Sequence, residues 1–103
     1  MRITRGTNET TTNIGREVQY WGGALTDIPN RTIWIHESVL AQNGVVRSWG
    51  AKLNLRQVIA HELGHAETRS TRCSMASKTG ANTPGLTAAE KQGLLDDAMH
   101  IND

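Results

Sequence analysis

Phenylalanine is absent from the sequence, and its only aromatic side chains are Tyr20, Trp21, Trp34 and Trp49. A core stacked from many rings is excluded, and these four are expected to contribute disproportionately to whatever core forms. Cysteine is confined to Cys73, so no disulfide can form within the chain. That suits a reducing compartment and leaves a bound metal as the staple open to a small core. No apolar run approaches the roughly 20 residues of a membrane span, and Met1-Arg2-Ile3-Thr4-Arg5-Gly6 lacks the apolar stretch of a secretory signal. The chain therefore reads as soluble and unexported, cytoplasmic by default, with no membrane partner. Charge of one sign is lacking too. Eleven basic residues stand against ten acidic ones, for a net charge of +1, without a Lys/Arg cluster that could track a phosphate backbone, so nucleic acid is a poor partner.

What is present fits one domain over residues 1–103, expected to be a monomer with one modest core. Met1 to about Arg16 is rich in Thr, Asn and Gly and shows no periodicity that would bury a face; a loosely held arm or one edge strand is expected there. Glu17 to Trp21 alternates polar and apolar residues before Gly22-Gly23, which predicts a short strand and a turn. Arg31 to His36 is a β-branched and aromatic run and the clearest strand in the sequence. Glu37 to Ala41 suits a helical turn, Asn43-Gly44 a tight turn, and Val45 to Trp49 a further short strand.

Two helices announce their own starts. Asn54 with Gln57 forms a capping box, so a helix is expected from Leu55; Thr87 with Glu90 opens a second that runs to about His100, with Ala88, Leu94, Leu95 and Met99 as its apolar material. Winding the first helix at about 100° per residue stacks Leu55, Ile59, Leu63 and Ala66 into one stripe and turns His61 and His65 the other way. The helix should have an apolar back and a chemical front. Between the helices, Thr68 to Leu86 is too long for a mere connection.

The chemical front reads His61-Glu62-Leu63-Gly64-His65. Histidines four apart on a helix lie one turn above each other, so both imidazoles can reach one Zn²⁺. Glu62 sits beside such an ion, where a carboxylate can take a proton from the zinc-bound water and later deliver one to the leaving amine. The pattern resembles the zinc helix of the zincin metallopeptidases, and more narrowly of a minimal metzincin of matrixin or snapalysin type. The resemblance covers about Leu55 to Met99: Cys73-Ser74-Met75 looks like the Met-turn beneath the metal, and Leu86-Thr87-Ala88-Ala89-Glu90 resembles the entry to the C-terminal helix. It implies an α+β zincin-like domain, with a short N-terminal sheet, an active-site helix, a Met-turn-like loop and a C-terminal helix. It also implies a zinc-dependent endopeptidase acting on peptide or protein substrates.

Where the longer family motif continues with glycine and a third ligand, this chain carries Thr68 and Thr71. The first candidate for the third ligand is Cys73, since a thiolate binds zinc well. Glu90 and a water held by Thr71 are alternatives; His36 could line the cleft or simply end its strand, and His100 suits the end of the last helix as a cation. A rival to the peptidase is a catalytically impaired module of the same shape that binds peptides without turnover. A peptide deformylase, which pairs a similar motif with cysteine, is disfavoured because its cysteine precedes the helix and Cys73 follows it.

Overall fold

The computed structural model describes residues 1–7 and 23–101. The strand expected over Glu17–Trp21, with Tyr20 and Trp21, lies outside the described residues. The chain within them forms an α+β domain of five strands and four helices. The β-branched run becomes β3 (Thr32–His36), flanked by β1 (Arg2–Gly6), parallel to it, and by β2 (Ala24–Asp27), antiparallel to it. Arg2–Gly6 is thus an edge strand rather than a loose arm. Its backbone pairs with β3 although only Gly6 among its residues is buried.

The imidazole of His36 accepts from the Ser38 backbone N–H and starts α1 (Glu37–Gln42), which ends at Asn43 in the left-handed region (φ 54°). A two-stranded ribbon follows, β4 (Gly44–Val46) against β5 (Lys52–Asn54). The strand expected to reach Trp49 stops at Val46, because Arg47 to Ala51 close the ribbon with backbone bonds of 2.7 and 2.9 Å. Both capping boxes form as expected, at the starts of α2 (Leu55–Thr68) and α4 (Ala88–His100).

The segment read as a Met-turn-like loop is instead a helix, α3 (Cys73–Gly80), with Met75 40% exposed on its outer face. The physical reason lies in its small residues. A Cβ at Gly64 would collide with the carbonyl of Ala76, and one at Gly80 with the carbonyl of Ala60, so the two glycines let α3 lie backbone to backbone against α2. That approach stabilises a helix whose N-terminus has no side-chain cap.

Burial corrects two further expectations. The deepest face of α2 is formed by Gln57, Val58, Ala60, His61, Glu62, Gly64 and His65, while Leu55, Ile59 and Leu63 are only partly buried. The helix is enclosed by the sheet, α3 and α4, so its chemical face points into the molecule. Nor do the described tryptophans make the core. Trp34 is half-buried, and Trp49 lies at the surface stacked on His100 with ring centroids 4.2 Å apart. Aliphatic residues do that work: Ala24, Ile33, Ile35, Val39, Val45, Leu53 and Val58 between the strands and α2, and Ala60, Ala81 and Leu94 among the helices. Met99 is left outside, 83% exposed. No helix among the described residues is long and apolar enough to cross a membrane.

Candidate metal centre

The antiparallel contact of α2 with α3 sets two side chains of each helix opposite one another. His61 and His65, one turn apart on α2, face Ser77 and Cys73, one turn apart on α3. His61 and His65 approach through Nε2 at 3.1 Å, with their rings edge to face, and Cys73 Sγ lies 3.8 Å from His65 Nε2. The three donor atoms fall within 4.8 Å of one another and form a group that could hold a metal ion. A tetrahedral zinc with Zn–N of about 2.05 Å and Zn–S of about 2.3 Å needs N···N near 3.3 Å and N···S near 3.6 Å; the two Nε2 atoms stand 3.1 Å apart and Cys73 Sγ 3.8 Å from that of His65.

Glu62 completes the group. Its Oε2 lies 3.9 Å from His61 Nε2, is buried, and has no hydrogen-bond partner, while Oε1 pairs with the Thr26 hydroxyl of β2 at 2.8 Å. An orphaned carboxylate oxygen in a dry site is costly and points to a missing polar partner beside the histidines. Burial pushes the Glu62 carboxyl up to about 8, partly offset by the Thr26 bond. Burial likewise drives His61 down to about 2, helped by the neighbouring His65 and Arg47. A carboxyl that titrates near neutrality and an imidazole that resists protonation are properties suited to proton transfer and to metal ligation respectively.

The remaining faces of the imidazoles are held. His65 Nδ1 donates to the Ser70 carbonyl at 2.7 Å. His61 Nδ1 meets Ser77 Oγ at 2.7 Å; Ser77 in turn meets Asp97 Oδ2 at 3.3 Å, and Asp97 Oδ1 accepts from Arg47 Nε at 2.9 Å. Outer hydrogen bonds of this kind orient histidine ligands.

The structure brings together His61, Glu62, His65 and Cys73, and leaves the other candidates elsewhere. Glu90 caps α4 and accepts from Asn54 at 2.7 Å, near the start of α2 and about 16 Å of helix rise from His65. Its bonds from the Thr87 backbone and the Asn54 amide hold its carboxyl below the usual range. His36 caps α1, Thr71 is exposed, Thr68 donates to the Gly64 carbonyl, and His100 stacks on Trp49. Sequence reasoning missed Thr26, Ser77, Asp97 and Arg47. One signal was available: Cys73 and Ser77 have the same four-residue spacing as His61 and His65. No protein-family model, curated protein or solved structure matches the chain.

Proposed function

We propose that the chain is a zinc-dependent metallopeptidase that hydrolyses peptide bonds, with His61, His65 and Cys73 as metal ligands and Glu62 as general base and acid. One observation carries this reading: two imidazole nitrogens and a thiol sulfur lie within 4.8 Å of one another between α2 and α3, with an unpartnered carboxylate oxygen 3.9 Å from His61 Nε2. Zinc held there would polarise a scissile carbonyl and acidify a water. Glu62 receives a proton at Oε2, the oxygen left without a partner, while Thr26 fixes the other oxygen and so aims the carboxylate. Cys73, the half-buried member of the group, marks its solvent side.

Burial favours a second reading. His61 is fully buried and Glu62 nearly so, which suits a peptide-binding module that keeps a metal without turnover. Cleavage by the wild type beside that of Glu62→Gln separates the two. On the peptidase reading Glu62→Gln retains zinc and loses cleavage of a peptide library, whereas a module without turnover shows no cleavage in the wild type either. His65→Ala should lose zinc on both, and undiminished zinc in that variant would sink the site.

A further inference from the structure

Resting on that metal-site reading, we propose that Ser77 and Asp97 are positioning residues: a hydrogen-bond relay from Arg47 through both of them fixes His61 in the tautomer that presents its Nε2 lone pair to the metal. Asp97 is fully buried, and its Oδ1 accepts from Arg47. Its other oxygen, Oδ2, faces the Ser77 hydroxyl. A carboxylate can only accept, and a serine hydroxyl has one hydrogen to give. Ser77 therefore donates to Asp97 and accepts from His61 Nδ1–H at 2.7 Å. The opposite arrangement would set two oxygen lone pairs against each other 3.3 Å apart in a site with no water exposure.

The Ser70 carbonyl sets His65 independently, since a carbonyl can only accept. Both imidazoles then carry hydrogen on Nδ1 and turn Nε2 lone pairs toward each other at 3.1 Å. Two lone pairs cannot bond one another; the Cys73 thiol, 3.8 Å from His65 Nε2, meets one of them, and a cation shared with its sulfur would meet both. α2, α3, α4 and the turn after β4 each supply one link of the chain, in positions where apolar packing would cost less.

The test reads the imidazole nitrogens of His61 by ¹⁵N NMR in the full-length protein stripped of metal. Zinc affinity is measured in parallel by chelator competition, with circular dichroism as the check on folding. The wild type should show hydrogen on Nδ1 only. Ser77→Ala should lose that single tautomer and bind zinc about 10–100-fold more weakly. Asp97→Asn is the sharper variant. Arg47 draws the amide oxygen to its own side, the amide nitrogen donates to Ser77, and Ser77 must then donate to Nδ1. The His61 hydrogen moves to Nε2, where it blocks the metal, a signature that mere loss of packing would not produce. Hydrogen on Nε2 in the wild type, or wild-type zinc affinity in a folded Ser77→Ala, would overturn the relay, and the wild-type spectrum decides even if neither variant folds. Absence of zinc uptake by a wild type with the expected tautomer would instead overturn the metal reading and leave the hydrogen-bond chain standing.

Discussion

At the scale of single residues, Cys73 departs furthest from the resemblance that the zinc helix suggests. The metzincin pattern places its third ligand six residues after the second histidine, where this chain has an exposed threonine, Thr71. Cys73 reaches the same cluster from the first turn of another helix, within 3.8 Å of His65 Nε2. A thiolate is softer than imidazole and donates more charge to the ion. The consequence is spectroscopic: protein loaded with Co²⁺ should show thiolate-to-metal charge-transfer absorption, and Cys73→Ser should lose that band and bind the ion more weakly while keeping its fold. An unchanged near-ultraviolet spectrum in the variant would remove Cys73 from the ligand set. Glu62 shows how far a residue's chemistry depends on its neighbours. Burial raises its carboxyl to about 8, and a single hydroxyl partner, Thr26, far away in sequence, holds that rise back.

At the scale of elements, the site is a property of the α2–α3 pair rather than of α2 alone. Their spacing is set where Gly64 meets the Ala76 backbone and Gly80 meets that of Ala60. Gly64 also lies beside His65, one of the proposed ligands. Adding one methyl at Gly64 must push the helices apart, and overpacking of this kind costs about 1–3 kcal/mol. Gly64→Ala is accordingly expected to lower the urea midpoint and to weaken zinc binding together, whereas Gly85→Ala, at a glycine with open space around it but a left-handed φ of 91°, should lower the midpoint through backbone strain and leave zinc affinity unchanged. Equal zinc affinity in Gly64→Ala and the wild type would detach the helix spacing from the site. The elements themselves were unequally legible. Both capping boxes are local, chain-neighbour signals, and α2 and α4 begin where Asn54 and Thr87 say. The central strand was legible from its β-branched run, and three of the four clustered side chains from one pentapeptide. α3 was not, because its start at Arg72 has no side-chain cap and its stability comes from α2, which local sequence does not display. β5 has three residues, too few for any periodicity. Ser77 and Asp97 read as ordinary helix polar residues until tertiary packing aligns them with His61.

At the scale of the whole molecule, the question is what holds so small a chain together without a disulfide. Two aliphatic clusters of modest side chains form its core, with no ring fully buried among the described aromatics except the imidazole of His61. Into that core the fold admits buried polar groups: His61, Glu62, Ser77 and Asp97 are each no more than 1% exposed. Glu62 Oε2 is buried with no hydrogen-bond partner, and the two imidazoles face each other through Nε2 at 3.1 Å, so on the proposed reading a bound ion would relieve a desolvation cost. Binding to the folded chain alone stabilises it by mass action, about 2.7 kcal/mol when free zinc is 100 times Kd. For a domain of about 100 residues that corresponds to a rise in Tm of about 10–20 °C. Calorimetry with zinc and with chelator should show that difference in the wild type and nearly none in His65→Ala, whose pocket keeps the apolar clusters but loses a ligand. A Tm indifferent to zinc in the wild type would mean that the buried polar cluster is tolerated by the fold without a metal, and the metallopeptidase reading would fail with it.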